Sequence, residues 1–338
     1  MKIDNDIAPT PKRPKQRKPS KTRGSKQLQA AVFLEKTIKK AKVTSNGFCY
    51  IKDGWALVTG DMFSVGTPLE MSVNANPKLA ELVHALRVTG QGVTASMQGD
   101  DVLLEGDGTS YAVDCTLGDP PGVSGVNPRV VDAANDLLDA ISKVIKITSK
   151  RHDYVLLQSH SVVATNGHVV VKAFHNYEMP CEMVIQTDVL KAVLSCGKRL
   201  TGLGASNDSF TFWFDDNSFI QVPTTKDGFP DCQHLIKDDS EMEEVDKRLF
   251  DGLRKLKTAD CDFAYFTKDG LVDDISEPTF RYKMEGLTEN VAVSVKQMLL
   301  VEHLCEYANF DTLHNVVCFA SPYGIGTLAM VIEKRTEV

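Results

Sequence analysis

One order of elements, a helix followed by strands and a second helix followed by further strands, can be traced three times along the 338 residues. A repeat of roughly 100 residues is too long for a solenoid unit and implies three similar domains, each with its own core. The first copy is predicted to open with a helix at 28–42, followed by the hairpin Phe48-Cys49-Tyr50-Ile51-Lys52-Asp53-Gly54-Trp55. Its second helix, 77–87, carries Leu79, Leu82, Val83 and Leu86 at helical spacing, ahead of strands at 93–97, 102–105 and 111–115. The second copy opens with a helix at 128–147, with Val131, Leu137, Leu138, Ile141 and Ile145 on its apolar face. A helix at 187–194 then precedes a hairpin whose strands, 210–214 and 219–222, flank Asp215-Asp216-Asn217-Ser218. The third copy starts with a helix at 243–257 bearing Leu249, Phe250, Leu253 and Leu256. It nearly duplicates the first hairpin as Phe263-Ala264-Tyr265-Phe266-Thr267-Lys268-Asp269-Gly270. A strand at 280–284, a helix at 295–307 and a hairpin through Ser321-Pro322-Tyr323-Gly324 complete it. The expected class is therefore α+β, with two helices packed on antiparallel sheets in each domain.

The linkers are the Gly- and Pro-rich 118–127 and the acidic 237–241, which place the domains at 27–120, 128–236 and 242–338. Residues 1–26 are almost devoid of apolar side chains after Ile7 and Ala8 and read as a disordered basic tail. A solvated tail, a nucleic-acid-contacting arm and an address signal all remain open for it. Nine of the 38 basic residues but two of the 45 acidic ones fall in this tail, so the body holds 29 basic against 43 acidic residues. An acidic body does not suit a protein that simply coats nucleic acid.

Function classes narrow by absence. No apolar run approaches the roughly 18 residues that span a bilayer, and no secretory h-region follows the basic start. The eight cysteines, Cys49, Cys115, Cys181, Cys196, Cys232, Cys261, Cys305 and Cys318, show neither CxxC pairs nor zinc-like spacing. A reducing cytoplasm is the expected setting, with no metal and no cofactor. Cys196-Gly197-Lys198-Arg199 lacks the spacing and the Ser or Thr of a P-loop, and GxSxG, HExxH and GxGxxG are all missing. The expectation is a protein that is not an enzyme. A Cys-His hydrolase is the residual catalytic reading, because eight thiols beside eight histidines always offer candidate pairs.

Two short patterns bracket the middle copy. Val163-Ala164-Thr165-Asn166-Gly167-His168 runs into Val169-Val170-Val171, and Asn-Gly between alternating apolar residues predicts a two-residue hairpin with positive φ at both central positions. Asp227-Gly228-Phe229-Pro230-Asp231-Cys232 closes the copy, where Pro230 ends a strand and starts a crossing segment. In this order the pair resembles the middle domain of bacterial-type DNA sliding clamps, the β subunit of the replicative polymerase. That family usually has Asp where this chain has Asn166 and a basic residue where it has Val169. A looser match lies at Leu57-Val58-Thr59-Gly60-Asp61, without the family's Pro-Ile-Leu run after the first helix. The resemblance extends over about 28–334, and the short domains fit a divergent, phage-type clamp.

The resemblance implies a homodimer joined head to tail, a six-domain ring around duplex DNA that serves as a processivity factor without reading base sequence. Helices line the hole of such a ring. Its candidate phosphate contacts here are Lys36, Lys39, Lys40, Arg87, Lys143, Lys146, Lys198, Arg199, Lys247, Arg254, Lys255 and Lys257. Lys and Arg are also good helix formers on solvated faces, which is the competing reading of each one. The resemblance further implies an apolar pocket that takes short peptides of a polymerase and a clamp loader. Residue by residue it maps onto Thr165, Gly167, His168, Val169 and Val170, then Pro230, His234 and Leu235, then Met330, Val331 and Ile332, which replace the family's Met-Pro-Met ending. His168 reads equally as a turn histidine bonded to backbone, and the valines as plain core. The alternative function is a clamp-fold adaptor or competitor that binds replication proteins without closing a ring.

Overall fold

The computed structural model describes residues 25–42, 45–60, 63–116, 118, 126–129, 135–179, 181–206, 209–223, 228–236, 241–311 and 314–330. Most of the predicted tail, most of both linkers, and Val131, Val331 and Ile332 lie outside these residues.

Helix α1 (Lys26–Ala41) starts where the Ser25 hydroxyl accepts from the Leu28 N–H at 3.1 Å and ends at Lys42, whose φ is 52°. Ala30, Ala31, Phe33, Leu34, Thr37 and Ala41 form its buried face. Strands β1 (Tyr50–Lys52), β2 (Trp55–Gly60) and β3 (Phe63–Pro68) follow. The first repeat ends with α2 (Leu79–Thr89), β4 (Thr94–Gln98), β5 (Asp101–Gly106) and β6 (Thr109–Val113). The second repeat comprises α3 (Asn135–Val144), β7 (Tyr154–Gln158), β8 (Ser161–Thr165), β9 (Val169–Phe174) and β10 (Met183–Gln186). It continues with α4 (Thr187–Ser195), β11 (Leu200–Ala205), β12 (Ser209–Phe214) and β13 (Phe219–Pro223). A 3-10 turn (Gln233–Leu235) and the short β14 (Glu243–Glu244) connect to the third repeat. That repeat holds α5 (Arg248–Thr258), β15 (Phe263–Thr267), β16 (Gly270–Val272), β17 (Arg281–Lys283) and β18 (Val291–Ser294). Helix α6 (Val295–Val301), a 3-10 turn (Glu302–Leu304), β19 (Tyr307–Asp311), β20 (Val316–Ser321) and β21 (Gly324–Ala329) finish it.

The class is α+β with antiparallel sheets, and the topology shows why three repeats make one body. The sheets run β1-β2-β3-β13-β12-β11 and β10-β7-β8-β9-β21-β20-β19-β14, with β17-β16-β15-β18 at one end and β4-β5-β6 at the other. In each long sheet the third strand of one repeat pairs antiparallel with the last strand of the next, β3 with β13 and β9 with β21. The first repeat reduces its fourth strand to the bridge Ile51↔Ala75. The helices form a single file, because α2 packs on α1, α1 on α4, α4 on α3 and α6 on α5. Its remaining link is His303, just after α6, whose Nε2 lies 3.0 Å from the Lys143 carbonyl oxygen of α3.

Glycine lets the repeats approach at the first seam. Gly66 faces Phe219, and a Cβ on Gly66 would stand 2.3 Å from Phe219 Cε1. Phe219 is fully buried, with the Trp55 and Trp213 rings 5.9 and 5.2 Å from its own, so it has no room to yield. Gly66→Val is therefore expected to cost about 1–3 kcal/mol or more, read as a lower urea midpoint at unchanged slope. A midpoint within error of the parent would show that the seam is loosely packed.

Several predicted boundaries need correction. The helix expected at 128–147 is described only as Asn135–Val144, and residues 126–129 are not helical. The helix expected from 243 begins at Arg248, because Glu243 and Glu244 pair with Ala308 and Tyr307 and the Asp246 carboxylate accepts the Arg248 N–H. The helix expected over 295–307 stops at Val301, since Tyr307 is already paired with Ala320 in the sheet. In the last two cases a non-local ladder outweighs local helical periodicity.

Candidate functional site

The first pattern forms a turn of another kind than the spacing predicts. Thr165 pairs with Val170 across it, and Gly167 has φ 92° while Asn166 is not in the left-handed region. Asn166 acts through its side chain instead. Its Oδ1 accepts from the His168 and Val169 N–H groups at 2.9 and 3.0 Å, and its Nδ2 donates to Gln297 Oε1 of α6 at 2.8 Å. The Thr165 hydroxyl donates to the Val169 carbonyl at 2.7 Å and accepts from the Gly167 N–H at 3.1 Å. Gly167 also admits the His152 ring, whose Nε2 would stand 3.1 Å from a Cβ there.

The second pattern crosses beneath this turn. Its 3-10 turn is pinned where Thr327 Oγ1 donates to the Leu235 carbonyl at 2.9 Å. Cys232 packs with Leu156, Val163, Val170 and Val184, a small core separate from the main one. Between turn and crossing segment opens a pocket of about 400 Å³. Eight sequence-predicted residues line it: Thr165, Gly167, His168, Val169 and Val170 from one pattern, Pro230, His234 and Leu235 from the other. Met330 does not line it. It is buried, and its N–H donates to the Asn315 carbonyl. Thr327 and Ala329 line the pocket instead, and Leu328 and Met330 face the core. Period-two alternation along β21 carries that signal, which a reading from the family's ending overlooks. Cys232, the end of the second pattern, also lines it, as do His152, His314 and Val316, which carry no local sequence signal.

The predicted basic residues fall into two groups. Lys36, Lys39 and Lys40 are exposed on α1 and line, with Ala192, Ser195 and Cys196, a cleft of about 340 Å³ where α1 meets α4. Lys146, Arg199, Lys247, Lys255 and Lys257 are exposed near helix ends, and Arg87 on α2 lies 3.9 Å from Glu35. Others are engaged in structure. Lys143 Nζ sits 3.7 Å above the Tyr323 ring, and Arg254 bridges Glu302 at 2.9 Å and Asp251 at 3.4 Å. Lys198 is the clear correction among the phosphate candidates. Its ammonium donates to Asp216 Oδ2 and Ser218 Oγ, both at 2.6 Å, and caps the Phe33 ring at 3.5 Å. Burial lowers its pKa against the pull of Asp216, so it ties α1 to the second repeat instead of facing solvent. Sequence reading passed over the exposed Lys296 on α6, and over Lys42 and Lys191, which both bridge Asp188 at 3.0 Å.

His303 is half-buried at the joint between α3 and α6. Burial foremost, with Lys146 and Lys143, holds it below the ordinary histidine range despite its hydrogen bond to the Lys143 carbonyl. Unfolded histidine titrates near about 6.5, so below that pH the unfolded chain binds the proton more readily and folding loses stability; above it the contribution is complete. The drop in Tm between about pH 7 and about pH 5 is expected to shrink in His303→Gln. An unchanged drop would remove His303 as its source.

All eight cysteines are free thiols. Burial pushes Cys49 and Cys305 up to about 12 and raises Cys115, Cys196 and Cys232, the opposite direction to that of an activated nucleophile. Among the described residues no group of three or more His, Cys, Asp or Glu is placed to hold a metal, and no helix is long and apolar enough to cross a membrane.

Three repeats with shared sheets and a file of helices define the clamp fold. The particular clamps it matches are bacterial DNA polymerase sliding clamps. The chain superposes on the sliding clamp of Pseudomonas aeruginosa with TM-score 0.69 at 10% identity, covering 90% of this chain and 98% of that one. The Caulobacter crescentus sliding clamp gives 0.69 at 14% identity, with coverage of 90% and 98%. The Helicobacter pylori β clamp bound to a DNA ligase peptide gives 0.66 at 11% identity, with coverage of 90% and 97%. No protein-family model and no curated protein sequence matches the chain.

Proposed function

We propose that two copies of this chain close head to tail around duplex DNA, and that the pocket tethers a replicative polymerase and a clamp loader through short peptides. The observation that carries this reading is the seam rule. Third strand meets last strand at both internal seams, which among the described residues leaves β17 without its last-strand partner and β6 without its third-strand partner. A second copy offers each the missing partner, and a head-to-tail contact that closes after two copies is a ring. Charge favours the match, since Arg281 and Lys283 lie on β17 and Asp101, Glu105 and Asp107 lie beside β6. The helix file ends in α2 and α5, so the same closure would bring α5 of one copy to α2 of the other.

Such a ring replaces affinity by topological linkage, and its exposed lysines on helices supply phosphate attraction without base readout. The neighbour that binds a DNA ligase peptide supports a peptide-binding role for this fold. The test is loading onto nicked circular DNA followed by linearisation. The protein should remain on circles at high salt and leave once ends exist. Equal retention on both forms would reduce it to an ordinary DNA binder. A strict monomer at micromolar concentration would favour the ringless adaptor.

A further inference from the structure

A sliding duplex needs surface charge but no cavity, so the cleft where α1 meets α4 is more than such a surface requires. Its floor is apolar and held in place. Phe33 meets Phe214 edge to face at 6.1 Å and carries the Lys198 ammonium 3.5 Å above its ring, while Ala192 lines the cleft from α4. Thr37 also lines it and is only 3% exposed, yet its hydroxyl has no hydrogen-bond partner among the described residues. A buried hydroxyl in that state forgoes a bond it makes in water, unless a ligand supplies one. The rim is cationic. Lys36, Lys39 and Lys40 stand on it, and no Asp or Glu is among the described residues that line it. The carboxylates of the two helices are already engaged, Glu35 by Lys39 at 2.7 Å and Arg87 at 3.9 Å, and Asp188 by Lys42 and Lys191, both at 3.0 Å. Lys36 and Lys40 have no such partner among the described residues, and one helical turn apart they repel each other. In a body with 43 acidic against 29 basic residues, this is a local surplus of unpaired cations beside an apolar cavity.

We propose that this cleft binds one unstacked nucleotide, with its phosphate between the Lys36 and Lys40 ammonium groups and its base in the cavity beside Phe33 and Ala192. A volume of about 340 Å³ suits a ligand of that size. The hydroxyls favour a nucleotide over an anion with an alkyl tail. A base edge or a sugar hydroxyl can bond Thr37, whereas an alkyl chain leaves it unpaired. Ser195 gives its own proton to the Lys191 carbonyl at 2.6 Å and keeps lone pairs to accept an N–H from a base. Bases stacked in a duplex cannot enter without being unpaired, so the cleft separates a lone nucleotide from double-stranded DNA. It lies within one chain and does not depend on ring closure.

The experiment is isothermal titration of the full chain with deoxyadenosine monophosphate (dAMP), with deoxyadenosine, which lacks the phosphate, and with hexyl phosphate, which lacks the base. The nucleotide is expected to bind about five- to tenfold tighter than either, the size of one charge-assisted hydrogen bond at an exposed rim or of one bond and the base contacts in the cavity. Its advantage over deoxyadenosine should shrink at high salt. Bound dAMP should also slow alkylation of Cys196, which lines the cleft, and leave that of Cys181 unchanged. Ala192→Leu fills the cavity and keeps the lysines, whereas Lys36→Gln with Lys40→Gln keeps the cavity; each should weaken dAMP by about fivefold or more. Should Ala192→Leu misfold, the lysine pair and the protection of Cys196 decide. A deoxythymidine hexamer that displaces dAMP would assign the site to single-stranded DNA, and one that does not, to free nucleotides; either upholds the nucleotide. Equal affinity for dAMP and hexyl phosphate overturns the proposal, as does dAMP binding that neither variant weakens or that leaves Cys196 unprotected. Absence of saturable dAMP binding at millimolar concentration overturns it outright, while the seam between copies and retention on circular DNA stand on their own tests.

Discussion

A chain carrying both Ser110→Cys and Arg281→Cys is expected to run as a covalent dimer after mild oxidation, whereas either substitution alone leaves it monomeric under denaturing conditions. The register follows from the repeats. Their first hairpins close at Lys52↔Trp55, Gln158↔Ser161 and Thr267↔Gly270, and the residue after each turn faces Pro68, Phe174 and Lys283 on the third strand. Likewise the last hairpins close at Gly106↔Thr109 and Ser321↔Gly324. At the β9–β21 seam Gly324 faces Ala173, the residue before Phe174. Transferred to the open ends, Thr109 faces Tyr282 and Ser110 faces Arg281. The β3–β13 seam agrees, because Gly66, two residues before Pro68, faces Phe219, and Phe219 follows the Ser218 whose carbonyl closes its hairpin. Directly opposed residues on antiparallel strands have Cα atoms about 4.5–5.5 Å apart, which a disulfide spans. Shifting one cysteine to Thr109 should cut the yield to less than about a tenth, since its side chain points to the other face. No cross-link from the matched pair would remove the proposed seam. Oxidation after loading should also make retention on circular DNA resistant to denaturant.

Reversing charge at Lys36, Lys40, Lys146 and Lys257 to Glu should abolish retention on circular DNA while the dimer mass is unchanged. These four side chains are exposed on or beside α1, α3 and α5. Each phosphate contact contributes about 0.9 to the salt slope of binding, so the slope should fall by roughly 3–4 per chain. Lys143 and Arg254 are poor choices for this purpose, because one caps Tyr323 and the other holds Glu302. An unchanged slope would mean that this face of the helix file does not meet phosphate.

Much of this architecture was legible in single residues. Leu79, Leu82, Val83 and Leu86 at helical spacing are all buried on α2, and the turns at Asp53-Gly54 and Pro322-Tyr323 sit between paired strands as expected. The seams were not legible, because Gly66 meets Phe219 from far along the chain and a strand carries no local sign of its partner. Gly66 itself is the trace they leave, a glycine inside a strand where another element comes close. The pocket was readable where its two patterns are local, at Thr165 to Val170 and at Pro230 to Leu235. It was unreadable at His152 and His314, which only tertiary pairing brings in. Lys198 shows the opposite failure, a residue whose position after a helix looked solvated until Asp216 and Phe33 closed over it.

Among the described residues, sheets continue across both repeat boundaries, so these three repeats should flex together as one stiff arc. In the proposed ring, a loader that parts the assembly to admit DNA would then work at the joint between copies, where β17 offers three residues against the five pairs of the β9–β21 seam. The place of DNA entry in such a ring would thus be the one joint that no single chain spans.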